Sequence, residues 1–482
     1  MNIPYFRTPK RIASQLSLRS ATMLAAFIVL PAVGYFTYVS MFGVNVPFWD
    51  DWSMVPMFVA ILSGHFSLSA LWIQHNENRM LIPNIVTIAV GMLTHYNTKV
   101  LMFLSAMILT AVVALLAAVW VRTRLSLWLF APISIVLFGI IQNENTLWGF
   151  QLAWYLVILC VIVSIMSLTN NGLKWYVVAV LTAVGASFCS LQGLIIWPVG
   201  ILYLGREFLS GRGSGRSLLL WAASALLSVV FYFIDFNFGE TGAPPASFIL
   251  AHPLAVAQYF MATFGSVAPV GGIYFTELFG GIIFFLALYT IIDYLRRRPN
   301  RTGSIFAMLV MFGALFDVAL TLGRSSFGVL EATSSRYSTY NLALLVGLYG
   351  YLVSRQDASD QSEQERLHRM HRIRLGLPLA TLILLLAFQV TVSTIDGLMQ
   401  GRSTYLSRLS AADALINYNK APRSLVTTAI YPSFQYFHSE APLVAHFRLS
   451  IWASSSQTTR LRALGIVSSQ EIARDYSRGS GS

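Results

Sequence analysis

The feature that most constrains this chain is a series of apolar blocks, each 14 to 22 residues long. Hydrophobic residues make up 56% of the sequence and charged residues only 11%, whereas a soluble domain carries about 25% charged residues. A helix of about 20 apolar residues spans the hydrocarbon core of a bilayer. The sequence therefore predicts an all-α polytopic membrane protein with about 11 transmembrane helices. The predicted spans are 21–41, 100–121, 125–141, 150–168, 174–189, 192–205, 217–235, 273–294, 304–323, 338–354 and 375–396.

The basic residues predict the orientation of these spans. Cytoplasmic loops carry an excess of Lys and Arg. With the N-terminus in the cytoplasm, 19 Lys and Arg fall on cytoplasmic segments and four on periplasmic loops before residue 397. This favours a multi-pass protein of a bacterial inner (plasma) membrane with a periplasmic C-terminus. The net charge of +12 is confined to loops and forms no stripe with aromatic residues, so nucleic acid is not a predicted partner.

The predicted domains are a membrane domain and a smaller C-terminal region. Residues 1–396 form the transmembrane domain, in which 42–99 are the first periplasmic loop, and 397–478 form a small periplasmic region. Segment 80–96 is predicted to be an interfacial or re-entrant helix, because a crossing there would invert every later loop. The alternative is a true span paired with a second, missed crossing. The last four residues, 479–482, have the composition of a cloning scar.

Two adjacent carboxylates between tryptophans are the strongest candidate for chemistry. Asp50 and Asp51 follow the first span closely and are flanked by Trp49 and Trp52. A carboxylate at this position can act as a general base toward a hydroxyl, and an indole offers a stacking face for a sugar ring. The alternative is that Asp51 caps a following helix while both tryptophans belong to the interfacial aromatic belt.

Three further polar clusters fall on the same predicted side of the membrane. Each has a plain alternative: a solvated loop, an interfacial turn, or arginines that anchor span ends at lipid headgroups. Amides and aromatic rings are typical of carbohydrate pockets, and cations could hold a phosphate. The candidate residues are His75, Glu77 and Arg79 in the first loop, Asn143, Glu144, Trp148 and Gln151 in the next, and Arg324, Arg336 and Tyr337 before the tenth span.

This arrangement resembles the GT-C superfamily of integral membrane glycosyltransferases. The resemblance is carried by a first span followed by a long outside loop with an early acidic residue, here Asp50 or Asp51, and by candidate lying helices at 52–63, 67–74 and 80–96. In detail, Trp49 to Trp52, Glu77 to Arg79 and Gly149 to Gln151 look similar to bacterial proteins that modify surface polysaccharides, among them O-antigen glucosyltransferases.

The resemblance implies an inverting hexosyl- or pentosyltransferase. Such an enzyme moves one sugar from a polyprenyl-phosphate donor in the lipid bilayer to a hydroxyl of a glycan or glycolipid acceptor. Asp50 or Asp51 would be the catalytic base, and Arg79, Arg324 and Arg336 would bind the phosphate. No cofactor is certain, although adjacent carboxylates can bind Mg²⁺ or Mn²⁺. The other readings are a polysaccharide polymerase or ligase, a lipid-linked-sugar transporter or flippase, and a non-catalytic scaffold.

Overall fold

The fold is taken from a computed structural model of the chain. It describes residues 18–123, 125–240, 246–297, 299–359 and 365–453. The secondary structure is α-helical apart from one small hairpin. The helices of the first half are α1 (Leu18–Phe42), α2 (Val55–Leu62), α3 (Leu81–Thr94), α4 (Thr98–Trp120), α5 (Ala131–Leu137), α6 (Asn143–Thr146), α7 (Leu152–Leu168), α8 (Leu173–Ser187), α9 (Ile196–Leu209) and α10 (Gly215–Tyr232).

The second half is also helical. Its helices are α11 (Ala246–Ala251), α12 (Pro253–Gly265), α13 (Ile273–Arg296), α14 (Arg301–Arg324), α15 (Ser338–Ser359), α16 (Glu365–Ile416), α17 (Arg423–Ala429) and α18 (Phe434–His446). The hairpin consists of β1 (Gln74–His75) and β2 (Asn78–Arg79), which pair antiparallel. Neighbouring helices along the chain pack side by side, most extensively α14 against α15, α7 against α8 and α12 against α13.

Eight helices within the described residues are long and apolar enough to cross a membrane. This confirms the prediction of an all-α, multi-pass membrane protein. The predicted spans 174–189, 192–205 and 338–354 correspond to helices α8, α9 and α15, which are outside that set of eight. The number of eleven spans therefore stays a prediction.

The first loop contains short helices near the predicted positions. Predicted segment 52–63 is a 3₁₀ turn, Trp49–Met54, followed by α2, and segment 67–74 contains the 3₁₀ turn Leu68–Trp72. Segment 80–96 contains α3, whose 14 residues are fewer than a span requires. The hairpin between the last two was not predicted, because each of its strands has only two residues.

The segment 236–272, which lies between the predicted spans 217–235 and 273–294, contains the helix α12. Pro253 stands at the first turn of this helix, where proline is favoured. Helix α12 packs tightly on α13, since a Cβ added to Gly280 would lie 1.9 Å from the carbonyl oxygen of Met261. Close helix contacts of this kind depend on small residues. The helix was missed because its apolar stretch is shorter than a membrane span.

Helix α16 runs without interruption through the predicted domain boundary at residue 396 and ends at Ile416. The residues after it then fold back onto the first loop. Phe437 packs edge-on against Trp52, with ring centroids 5.4 Å apart. The Tyr436 hydroxyl donates to the carbonyl oxygen of Trp52 at 3.2 Å. The C-terminal region is therefore a continuation of the bundle that covers the loop bearing the paired acids.

Candidate functional site

We call the end of the bundle at which α1 ends the loop face. It brings together residues 43–97, 140–151, 325–337 and 417–453, which contact one another. Thus the Glu144 amide donates to the Ser335 hydroxyl at 3.1 Å, and the Trp148 indole donates to the carbonyl oxygen of Phe48 at 3.1 Å. The four polar clusters predicted from sequence accordingly lie at one end of the molecule.

The two adjacent acids have different environments. The Asp51 side chain is buried, with 1% of the residue exposed. One of its carboxylate oxygens accepts from the Phe48 amide at 3.1 Å. The Asp50 side chain is 29% exposed. Asp50 is therefore the acid that a substrate can reach.

Burial raises the pKa of Asp51 to about 7, because the charged form loses its hydration. The Phe48 amide, the charge of Arg408 and the Phe150 amide lower this pKa, whereas the charge of Asp50 raises it further. The net result is that Asp51 holds its proton into the neutral range. Asp51 lies inside the loop and is bonded to the Phe48 amide, an arrangement closer to the capping alternative than to an accessible base, and a catalytic role for it stays a prediction.

The aromatic residues around the acids divide into exposed and buried ones. Trp49 has φ of 44°, and its amide donates to the carbonyl oxygen of Ile430 at 2.8 Å. Its indole is exposed, so a stacking role for Trp49 stays a prediction. Trp52 and Trp148, in contrast, are buried against Phe437 and Phe48. The prediction that these two indoles contact substrate is not supported by their packing.

Arg79 does not have a guanidinium group available for a phosphate in this structure. The residue is 3% exposed and donates to the carbonyl oxygens of Trp72, at 2.6 Å, of Tyr232, at 3.3 Å, and of Ile234. Backbone carbonyls thus satisfy the side chain that the sequence suggested as a phosphate ligand. Its position corrects that prediction, because Tyr232 and Ile234 lie 153 and 155 residues away along the chain and leave no trace in the local sequence.

The other two predicted phosphate ligands are paired with acids. Arg324 donates to both carboxylate oxygens of Glu77, at 2.6 and 2.7 Å. Arg336 donates to Glu144 at 3.1 Å and to Glu331. Both arginine side chains remain partly exposed, so a phosphate would have to compete with these carboxylates. Phosphate binding by them stays a prediction.

The remaining predicted substrate residues are spread over the loop face. Asn143 and Glu144 line a polar cavity, and the His75 side chain lies beside Asp50. Gln151 is buried, and so is Tyr337, whose hydroxyl donates to Glu331 at 3.0 Å. These last two residues support the site from within and do not face open space.

A polar cavity of about 430 Å³ lies between the turn 140–151, the segment 325–337 and helix α16. One wall is a stripe of polar residues spaced four apart on α16, which places them on one helix face. The residues of this stripe are Asp396, Gln400, Thr404 and Arg408. The opposite wall is formed by Asn143, Glu144, Thr333 and Ser335. Hydroxyl, amide and carboxylate groups at this density suit a polyhydroxylated ligand.

This stripe was not predicted, because the predicted domain boundary at residue 396 separates Asp396 from the other three residues. The fourfold spacing of Asp396, Gln400, Thr404 and Arg408 is nevertheless visible in the sequence, and extending the helical period past residue 396 would have found it. Arg408 also reaches the acidic loop, with its guanidinium carbon 3.0 Å from the centroid of the Phe48 ring.

An apolar groove of about 490 Å³ adjoins the polar cavity. It lies between α1, α5 and α16, and its walls include Tyr38, Phe42, Ile135 and Val390. The two spaces share their boundary segments. Ile140 faces the groove and Ile141 the cavity, and Leu398 of the groove lies between Asp396 and Gln400 of the cavity. The groove and the cavity together therefore form an amphipathic space.

A metal ion would find few protein ligands at the acidic loop. The described part of the chain contains no group of three or more His, Cys, Asp or Glu side chains placed to hold one. Of the two adjacent carboxylates, only Asp50 is accessible. Binding of Mg²⁺ or Mn²⁺ would therefore rest on Asp50, water and oxygens of the substrate, and it stays a prediction.

No protein-family model matches the sequence, and no curated protein is significantly similar to it.

Proposed function

We propose that the chain is an inverting glycosyltransferase of GT-C type, which moves a single sugar from a polyprenyl-phosphate donor to a hydroxyl of a glycan or glycolipid acceptor. The reaction would take place at the periplasmic face of a bacterial inner membrane. The observation that carries this proposal is an apolar groove that adjoins a polar cavity, on whose wall Arg408 contacts Phe48, two residues before the accessible Asp50. An amphiphile with a long hydrocarbon chain and a sugar headgroup matches both spaces.

The groove and the cavity suggest where each part of the donor binds. The isoprenoid chain would lie along Tyr38, Ile135 and Val390, whose side chains offer little to a polar ligand. The phosphate would bind near Arg408, the cation on the cavity wall that also contacts the Phe48 ring, two residues before Asp50. The sugar would then fill the polar cavity. Arginine is well suited to phosphate, since its planar group donates two parallel hydrogen bonds.

The chemistry requires one base and one leaving group. Asp50 would take the proton of the acceptor hydroxyl while the hydroxyl oxygen forms a bond to the anomeric carbon. The bond from that carbon to the phosphate oxygen would break at the same time, and its electron pair would stay on the lipid phosphate. Attack on the face opposite the leaving phosphate inverts the configuration. The phosphate leaves as an anion stabilised by Arg408, so the reaction needs no separate acid.

Asp50 is a better candidate base than Asp51 because of their exposure. A general base must come within about 3 Å of the proton that it removes. The Asp51 carboxylate is buried, whereas the Asp50 carboxylate is accessible. The difference in burial therefore favours Asp50 as the base.

The proposal can be tested with the purified chain in vesicles that contain radiolabelled polyprenyl-phosphate hexose or pentose and extracted surface polysaccharide as acceptor. We expect label to move to the acceptor, and Asp50→Asn to reduce the rate at least about 100-fold, the usual contribution of a general base. Asp413→Asn is a matched control, because Asp413 is an exposed acid on α16 with no place in the cavity.

Three outcomes would contradict the proposal. The labelled lipid could remain unconsumed with every sugar and acceptor. Asp50→Asn could transfer sugar as fast as the wild-type chain and the Asp413→Asn control. Labelled lipid could cross the bilayer without transfer of its sugar, which would favour a flippase. Polymerisation would be recognised by products that grow by many sugar units.

A further inference from the structure

The hairpin of β1 and β2 is held in place by nearly every side chain that it carries. Gln74 exchanges two hydrogen bonds with the backbone of Asn237, at 2.9 and 2.8 Å. Asn78 accepts from the Ser190 hydroxyl at 2.8 Å and from the Leu191 amide at 3.0 Å. Together with the carbonyl contacts of Arg79 described above, these bonds fix the hairpin to the loops that follow α8 and α10. The position of the hairpin is therefore fixed by these hydrogen bonds.

The turn of the hairpin is fixed as well. Asn76 has φ of 50°, in the left-handed region that asparagine tolerates in tight turns. The next residue, Glu77, is paired with Arg324 at 2.6 Å. Of the hairpin's titratable side chains, Glu77 and Arg79 are thus engaged with partners away from Asp50. This leaves His75 as the hairpin's side chain that faces the acid.

His75 lies against Asp50 in a defined orientation. Its Nε2 atom is 3.4 Å from the Oδ1 atom of Asp50, and its ring packs on Phe150 with centroids 5.0 Å apart. The Nε2 atom is buried and has no hydrogen-bond partner among the described residues, although the side chain as a whole is 26% exposed. A separation of 3.4 Å is slightly longer than a normal N–H···O bond. Catalytic hydrogen bonds are often long without substrate and shorten when it binds.

We propose that His75 is a positioning residue for Asp50. Its Nε2–H donates to Oδ1 of the carboxylate and thereby turns the second oxygen, Oδ2, toward the acceptor hydroxyl. This role rests on the function proposed above. It differs from direct substrate binding, the role that the sequence suggested for His75, because the nitrogen is buried against Asp50 and does not face the polar cavity.

The packing explains why a histidine suits this position. The flat ring fits against Phe150, and its edge presents an N–H to the carboxylate. A glutamine side chain could place an N–H at a similar distance from the backbone, whereas phenylalanine could fill the space without a donor. Substitution by glutamine or by phenylalanine therefore distinguishes a requirement for the hydrogen bond from a requirement for the shape of the ring.

The test compares sugar transfer by wild-type chain, His75→Phe, His75→Gln, Asp50→Asn and the double variant Asp50→Asn/His75→Phe in the vesicles described above. A misplaced catalytic group costs about 100-fold in rate. We therefore expect His75→Phe to lower kcat about 10- to 100-fold with little change in the KM for the acceptor. His75→Gln should restore most of kcat, and His75→Phe should cost nothing further once Asp50 is replaced.

The outcomes separate this inference from the proposed function. Suppose that the wild-type chain transfers sugar and Asp50→Asn does not. His75 is then not a positioning residue if His75→Phe raises only KM, or if His75→Phe slows the Asp50→Asn variant by the same factor as it slows the wild-type chain. If His75→Gln is as slow as His75→Phe while both unfold at the wild-type temperature, the donor role is wrong as well. If the wild-type chain transfers no sugar, the proposed function and this role both fail.

Discussion

Asp50 and Asp51 are chemically identical neighbours that the fold makes different. One carboxylate is accessible beside His75, and the other is enclosed and accepts from the Phe48 amide. The sequence located the pair but could not tell the two apart, because the loop that bears them is held by distant parts of the chain: the Tyr96 hydroxyl donates to the Asp51 carbonyl oxygen, and Phe437 packs on Trp52. At the level of single residues, the local sequence shows which functional groups are present, and tertiary packing decides which of them a substrate can reach.

The raised pKa of Asp51 predicts how stability depends on pH. The folded chain binds this proton up to about pH 7, whereas an unfolded chain releases it near pH 4. Stability from this group is therefore greatest below pH 4 and falls as pH rises to 7. We expect Asp51→Asn to lose less stability than the wild-type chain between pH 5 and pH 8. Thermal unfolding in detergent at both pH values measures the difference, and an equal loss in both proteins would contradict it.

Arg408 predicts a loss that is specific to the donor. Replacing a phosphate ligand removes a charge-assisted hydrogen bond of about 1.5 to 3 kcal/mol. We expect Arg408→Gln to lower kcat/KM for the polyprenyl-phosphate sugar about 10- to 100-fold, the equivalent of that energy. Arg402→Gln is the matched control, since Arg402 is exposed on the same helix and outside the cavity. Equal rates for the two variants would show that Arg408 does not bind the phosphate.

At the level of elements, the packing of α16 against the turn at Ile140 depends on glycine. The Tyr38 hydroxyl donates to the carbonyl oxygen of Gly397 at 2.7 Å. A Cβ added to Gly397 would lie 2.7 Å from the carbonyl oxygen of Ile140. The side-chain-free surface of α16 at this point keeps the apolar groove and the polar cavity next to each other.

Substitution of Gly397 tests this packing. We expect Gly397→Ala to lower both the unfolding temperature and the transfer rate, because a rigid backbone atom occupies the space of the new methyl group. Gly376→Ala, on the same helix with no atom within 4 Å of the added Cβ, is the control. It should leave activity unchanged and stabilise the helix slightly, by about 0.5 to 1 kcal/mol. Similar effects of both substitutions would show that the close packing of α16 at Gly397 is not required.

The elements themselves were predictable to different degrees. A block of about 20 apolar residues satisfies its backbone hydrogen bonds in lipid by forming a helix. The predicted bounds of α1, α4 and α13 are therefore close to the observed ones. The hairpin carries no such signal. It exists because Arg79 and Gln74 bind the backbone after α10, at separations of 153 to 163 residues. Contacts over such distances cannot be read from a local pattern.

At the level of the whole molecule, the orientation in the membrane decides whether the loop face meets the periplasm. Labelling of single cysteines, with Cys160 and Cys189 replaced, measures it directly. We expect a membrane-impermeant maleimide to label Ser326→Cys, exposed on the loop face, in intact cells. Ser214→Cys, exposed at the start of α10, should be labelled only after the membrane is opened. The reverse pattern would put the candidate site in the cytoplasm.

The apolar groove between α1, α5 and α16 has a consequence for kinetics. Its walls belong to helices α1 and α16, both of which are long and apolar enough to span the membrane. Under the proposed function the donor then arrives by lateral diffusion in two dimensions. The rate of transfer should follow the mole fraction of donor among the lipids and not its amount per volume of buffer. Adding inert phospholipid to vesicles with fixed amounts of chain and donor would slow the reaction by surface dilution.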